Sequence, residues 1–339
     1  MFLSDQDRLC QEVESALRRI ILRYPERSQL SWQRRYGSIE EYLDSVECNR
    51  ERWAALLRVP DEWLQCAALE ITTTTAREKK ISLTLAAGVQ ISAIFIEPGV
   101  AFQPPYPLVV FLHGVDGSPE MVMGRLDSQP PSYQAVGLRL AEQGFAVLAP
   151  RMLNTFPQRN RINRMALLLS SSVWGLEVQA IRQLLAQAIP RLPVDKRRIG
   201  LWGLSMGGGY GLFLLPLEPS FQAGILSAWF NQRPAKMVVE DPRYSCFLPT
   251  DEEHAFLPSL LDGFSDCDLA SLICPRPLLI QTGDHDPVSW PALVEQEFLQ
   301  AKTHYQKLGV EERIQWDHHS GGHEVRIDSG IAFLQQWIC

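Results

Sequence analysis

One serine stands among residues with almost no side chain. The stretch "RIGLWGLSMGGG", residues 198–209, places Ser205 in the pattern Gly203-x-Ser205-x-Gly207, after a short apolar run and before a helical pattern. That context is a strand-to-helix turn so tight that residues two positions away must be very small, and it holds a serine hydroxyl clear of the backbone as a nucleophile. The competing reading is a glycine-rich turn whose serine only caps the next helix. A serine hydroxyl is a weak nucleophile at neutral pH, so the first reading demands a histidine base and a carboxylate to orient it. They should follow in the order serine, acid, histidine.

The downstream histidines are His254, His285, His304, His318, His319 and His323. His323 is preferred, because "HHSGGHEV" lies between the last strand pattern and the last helix pattern, and Gly321 and Gly322 permit a loop that projects toward Ser205; His319 is second. His304 lies in an amphipathic pattern and reads as a helix-surface residue, and His254, in "TDEEHAF", reads as part of a solvated loop. A metal is the other use for this cluster, since His319 and His323 are four apart. The glycines between them oppose the helix that would align both rings, and no HExxH is present, so no metal is expected. For the acid, "QTGDHDPVSW" follows an apolar strand and offers Asp284 and Asp286. Asp286 is preferred, with Asp284 capping or orienting the turn.

An acyl-transfer site also needs backbone N–H groups aimed at the developing oxyanion. "VVFLHGVDGS" ends an earlier buried strand with His113, Gly114 and Val115, so the Val115 N–H can pair with that of Met206. His113 then reads as the residue that fixes this loop, and Asp116 as a turn residue.

The elements that must position these groups are legible as short, wholly apolar runs: "LVVFLH", "FAVLAP", "IGLWG", "AGILSAW", "PLLIQTG" and "RIQWDH". Continuous apolar strands belong in a sheet covered on both faces. Helical patterns separate them, which predicts an α/β fold with a doubly wound, mostly parallel sheet. Residues 67–97 alternate around a turn near Ala87 and Gly88, as antiparallel strands at a sheet edge do. The predicted organisation is an N-terminal helical extension over 1–66 and a catalytic domain over 67–339. In the extension, Leu9, Val13, Leu17, Ile20 and Ile21, then Tyr42, Val46, Trp53 and Leu57, mark two amphipathic helices joined by "PERSQLSWQRRYG". Insertions at about 151–174 and 230–276 are expected to roof the site, with Trp174, Trp229, Phe230, Tyr244 and Phe247 lining its pocket or packing the roof's own core.

Composition removes other classes. The 339 residues are 46% hydrophobic and 21% charged, with a net charge of -7, and the densest basic run, "DKRR" at 195–198, reads as a solvated lead-in to a strand. Nothing offers the clustered cations that nucleic acid requires. Seven cysteines without CxxC spacing suit reduced thiols. No stretch approaches 18 apolar residues, and acidic residues by position 5 argue against a signal peptide. The expectation is a cytoplasmic protein without a membrane span.

Taken together, "FLHGVDGS", "DKRRIGLWGLSMGGG", "ICPRPLLIQTGDHDPVSW" and "YQKLGVEERIQWDHHSGGHEV" resemble the α/β-hydrolase superfamily, in its dienelactone-hydrolase-like and acetyl-xylan-esterase-like branch. The resemblance runs from about residue 70 to the C-terminus, and "NRERWAALLRVPDEWLQ" is similar to the region ahead of it. It implies Ser205 as nucleophile, Asp286 as acid, His323 as base, and Val115 and Met206 as oxyanion-hole positions. The expected function is a cofactor-free serine hydrolase of a small-molecule carboxylic ester, with the helical extension a cap, a homo-oligomer surface or a cover for the core. The same triad also serves thioester, amide, peptide or carbon-carbon hydrolysis or acyl transfer, and a non-catalytic binding protein is a further alternative.

Overall fold

The computed structural model describes residues 4–125 and 132–339; the first three residues of the extension lie outside it. Nine strands form one sheet: β1 (Cys66–Thr75), β2 (Glu78–Leu85), β3 (Gln90–Ile96), β4 (Tyr106–Leu112), β5 (Ala146–Pro150), β6 (Val194–Leu204), β7 (Ala223–Ser227), β8 (Leu278–Gly283) and β9 (Ile314–His319). Their spatial order is β1-β2-β3-β5-β4-β6-β7-β8-β9. The first three are an antiparallel edge, and the six strands from β5 through β9 in that order run parallel. The apolar runs read from the sequence are these parallel strands; β4, β5, β7 and β8 are buried almost throughout.

The helices are α1 (Asp5–Leu22), α2 (Tyr24–Ser31), α3 (Ile39–Leu56), α4 (Pro119–Val122), α5 (Val136–Glu142), α6 (Phe156–Leu167), α7 (Val173–Ala188), α8 (Met206–Leu214), α9 (Arg233–Val238), α10 (Asp266–Ile273), α11 (Pro291–Lys307) and α12 (Ile327–Ile338). On one face of the sheet, Trp174 and Leu184 of α7, Tyr210 of α8, Leu272 of α10 and Phe298 of α11 join Val110, Leu201 and Ile280 in one core. On the other, Val136 and Leu140 of α5 and Phe333 and Leu334 of α12 cover Val109, Phe111 and Trp202. Parallel strands end together, so the loops after β4, β5, β6, β8 and β9 meet along one edge of the sheet.

The extension differs from its sequence reading in its linker. The expected linker is largely helical: Pro25 opens α2, where its fixed φ suits a first turn. The rest of the extension covers the core of the sheet. Tyr42, Val46, Trp53 and Leu57 are fully buried with the sheet residues. Each polar tip finds a partner: Trp53 Nε1 donates to the Phe213 carbonyl at 2.9 Å, Tyr42 Oη to Ser271 at 2.7 Å, and Trp32 Nε1 to Gly263 at 2.9 Å. Large aromatic side chains with satisfied tips dominate such an interface. By contrast α1 buries no residue.

Candidate active site

Ser205 joins β6 to α8 with φ 56° and ψ −125°, a backbone conformation that costs a non-glycine residue about 1–3 kcal/mol and persists only when its surroundings impose it. They do. The Ser205 N–H donates to the Ser227 carbonyl of β7 at 2.8 Å, and the Gly209 N–H closes the first turn of α8 on the Ser205 carbonyl at 3.1 Å. The flanking glycines are steric conditions: a Cβ on Gly203 would strike the Gly207 carbonyl, and one on Gly207 would strike the Leu112 carbonyl at the end of β4.

The loop after β4 lies directly against the serine, since a Cβ on Gly114 would sit 3.0 Å from Ser205 Cβ. Its shape is set by three polar groups. The buried His113 ring accepts from the Met152 N–H at 3.1 Å through Nε2, which leaves Nδ1–H to donate to the Gly114 carbonyl at 2.9 Å. Burial pushes its pKa down to about 4, so the neutral ring persists. Tyr133 Oη accepts from the Gly114 N–H at 2.8 Å, and Asn154 Nδ2 donates to the Gly117 carbonyl at 2.7 Å. Asp116 takes the turn position with φ 57°. Among the described residues, the N–H groups of Val115 and Met206 have no hydrogen-bond partner.

Asp286 and His323 come from the loops after β8 and β9, which are zipped together. Asp284 N–H donates to the His319 carbonyl at 2.8 Å and His285 N–H to that of Gly321 at 2.9 Å. Gly283 packs so closely on Gly321 and Gly322 that no side chain fits there. The result sets His323 Nδ1 3.0 Å from both carboxylate oxygens of Asp286, which is buried and also accepts from the Val288 N–H at 2.8 Å. Asp284 turns away and pairs with His318 Nε2 at 2.6 Å near the surface, where His318 stacks on Trp316. His319 is buried, with Nδ1 accepting from the Gly321 N–H at 3.1 Å. Among the described residues no group of three His, Cys, Asp or Glu side chains is arranged to hold a metal ion.

A polar thread that the sequence reading missed runs beneath these loops. Ser227 Oγ accepts from Trp202 Nε1 at 2.8 Å and donates to Gln281 Oε1 at 2.6 Å; Gln281 Nε2 then donates to the Arg326 carbonyl at 2.9 Å. It ties β6, β7 and β8 to the loop carrying His323. Its sequence signal is a lone glutamine inside the apolar run "LLIQTG".

Above Ser205 is a partly open cavity of about 110 Å³, lined by Val115, Met206, Phe156, Trp174, Trp229 and Phe247 together with Lys236, Glu252 and His254. Of the five aromatic residues named from the sequence, Trp174, Trp229 and Phe247 line this cavity. Phe230 does not: it is buried in the core of the sheet's α7–α8 face. Tyr244 instead packs the roof, its hydroxyl donating to the Val239 carbonyl at 2.8 Å. His254 is not in a solvated loop; it is buried, bonded to Asn160 Oδ1 at 3.1 Å, and burial drives its pKa down to about 3. Nor is His304 free on a helix surface, because Tyr36 of the extension covers it with a 2.7 Å hydrogen bond.

The roof is held by buried charge. Arg233 forms two hydrogen bonds with Asp266, at 2.8 and 2.6 Å. The Lys236 ammonium donates to Ser245 Oγ at 2.8 Å, to the Ser245 carbonyl, and to the Val288 carbonyl at 2.5 Å, joining the roof to the loop of Asp286. Burial, reinforced by the Arg233 charge, lowers its pKa to about 7. Against the Trp174 ring, Arg159 pairs with Glu177 at 2.6 Å and donates to Tyr210 Oη at 2.7 Å.

This sheet, with a serine on the turn after β6 and an Asp–His pair on the loops after β8 and β9, is the α/β-hydrolase fold. No family model matches the sequence. The chain is similar to "Putative hydrolase YtaP" of Bacillus subtilis (strain 168), 24% identical over 259 residues, covering 73% of this chain and 83% of that relative. Among solved structures it is similar to a "putative acetyl xylan esterase" of Bacteroides fragilis NCTC 9343 (TM-score 0.71, 16% identity, 94% of this chain and 83% of that one). It is also similar to a glucuronoyl esterase of Caldicellulosiruptor kristjansonii (TM-score 0.63, 16% identity, 88% and 86%).

Proposed function

We propose that the protein is a serine hydrolase of carboxylic esters, acting through an acyl-enzyme on Ser205. The observation that carries this reading is the positive-φ turn at Ser205, pressed against the Gly114 loop whose neighbouring Val115 N–H is unpartnered. Strain at a buried turn, surrounded by glycines that admit no Cβ, supports a nucleophile more than a cap. The esterase names borne by its structural neighbours support the choice of bond.

In this mechanism Ser205 Oγ attacks the ester carbonyl as its proton passes to His323 Nε2, and Asp286 holds Nδ1–H and stabilises the imidazolium. The Val115 and Met206 N–H groups donate to the developing oxyanion, which a preorganised site does without reorganisation. Collapse expels the alcohol, which takes the proton from His323. Water then attacks the acyl-enzyme while His323 takes one of its protons, and returning that proton to Oγ releases the carboxylic acid and restores Ser205. The cavity above the serine fits a short acyl group, and the substrate is a small-molecule ester.

The test is hydrolysis of p-nitrophenyl acetate by the parent and by Ser205→Ala. The expected result is a burst of p-nitrophenol and steady turnover from the parent and neither from the variant. Parental turnover by Ser205→Ala would exclude the assignment.

A further inference from the structure

Helix α1 is eighteen residues long and buries none of them. It is capped at Ser4, whose hydroxyl accepts from the Asp7 N–H at 3.1 Å, and held to the body near its C-terminal end. There Arg18 donates to the Val238 carbonyl and pairs with Glu240 at 2.7 Å, while Ile21 packs against the cluster of Met237, Val238, Phe247 and Ala255. Its outer face is apolar: Leu9, Val13, Leu17 and Ile20 are 59%, 51%, 54% and 55% exposed. A helix of this length is marginal in water unless an apolar face is covered.

The spacing says what covers it. Leu9, Val13, Ala16 and Ile20 recur at intervals of four, three and four, a two-heptad coiled-coil seam. Glu12 and Arg19 stand seven apart at the same flank of that seam, both exposed, and neither has an ion-pair partner among the described residues. In an antiparallel pair of identical helices, residues at that flank meet each other across the seam, so Glu12 of each copy faces Arg19 of the other, twice by symmetry. A parallel pair would instead set Glu12 against Leu17 and leave both charges unmatched. The polar face does not suit an anionic lipid surface, which favours Lys and Arg: α1 carries Asp5, Asp7, Glu12 and Glu14 against Arg8, Arg18 and Arg19.

We propose that α1 is a self-association surface on which a second copy of this chain docks antiparallel, along the Leu9, Val13, Ala16, Ile20 seam, with register set by Glu12 and Arg19. The interface is small, so its dissociation constant falls on the order of micromolar. Because α1 lies outside the Ser205 site, the proposal stands apart from the hydrolase reading.

Sedimentation velocity of the full chain, from about 1 to 100 µM, tests it. The expected result is a monomer–dimer equilibrium, abolished in Val13→Asp/Leu17→Asp while the far-ultraviolet circular dichroism and ester hydrolysis persist. Arg19→Glu should weaken the dimer by about tenfold or more, and Glu12→Arg/Arg19→Glu should restore it to within about threefold of the parent. A monomer throughout that range would overturn the proposal, as would a dimer indifferent to Val13→Asp/Leu17→Asp. Failure of the double charge swap to restore association would overturn the antiparallel register. Co-sedimentation of a monomeric protein with phosphatidylglycerol vesicles would assign the face to a membrane surface instead.

Discussion

His323 Nδ1 lies 3.0 Å from each carboxylate oxygen of Asp286, whereas Asp284, two residues earlier, is bonded to His318. The two carboxylates of one loop are thereby separated into one that faces His323 and one that does not. Asp286→Asn should lower kcat/KM for p-nitrophenyl acetate by about 10³–10⁴, because the amide no longer fixes the tautomer that accepts the serine proton. Asp284→Asn should leave it within about threefold of the parent, its partner being exposed. Equal losses from both would remove the distinction.

The glycines around Ser205 make a stability prediction. Gly203→Ala and Gly207→Ala each drive a methyl into a backbone carbonyl that cannot yield, and should cost at least about 3 kcal/mol by denaturant unfolding, or prevent folding. Gly99→Ala, which meets nothing within 4 Å, is the control and should be neutral.

Glu297 offers a pH signature. It is buried beside Asp266, and burial, reinforced by that neighbouring charge, pushes its pKa up to about 7, against the ordinary 4.5. The folded state therefore holds this proton more tightly than the unfolded chain. Its contribution to stability is fully present below pH 4.5 and is lost as the pH rises from there through 7. Glu297→Gln keeps an oxygen for the Cys267 N–H and should flatten that decline, unfolding at higher denaturant than the parent at pH 8 and near the parent at pH 5. An unchanged pH profile would contradict this account.

The core position of the extension is equally testable. Trp53→Ala removes a fully buried ring that packs on Phe213 and Phe264, and should destabilise the whole protein in one transition by about 3–5 kcal/mol. A loss below about 1 kcal/mol would mean the extension is merely appended.

The small cavity over Ser205 predicts acyl preference. At about 110 Å³ it favours short acyl groups, so kcat/KM should fall by more than about tenfold from acetate to octanoate. Trp229→Ala should narrow that ratio.

The parts of this site that demand a residue type locally were legible in the sequence. Tight backbone at Ser205 requires glycines at fixed offsets, and the loops at the ends of buried parallel strands are where an acid and a base are sought, so Ser205, Asp286 and His323 could be nominated before any coordinates. What could not be read is set by tertiary burial. "TDEEHAF" has the polarity of a solvated loop, yet His254 is enclosed because Trp174 Nε1 and Asn160 fasten that loop inward. Lys236 and Glu252 escaped notice for the same reason, and Phe230 and Tyr244 carry no local mark telling pocket from packing. The helical linker at α2 was obscured by Pro25, a residue that opens helices as readily as it interrupts them.

The most direct test of Ser205 as an activated nucleophile is intact-protein mass spectrometry after brief exposure to a fluorophosphonate. The account predicts a single phosphonyl adduct on the parent, mapped by peptide sequencing to Ser205, and none on Ser205→Ala or after prior heat denaturation. An unmodified parent, or an adduct of equal yield on Ser205→Ala, would contradict it.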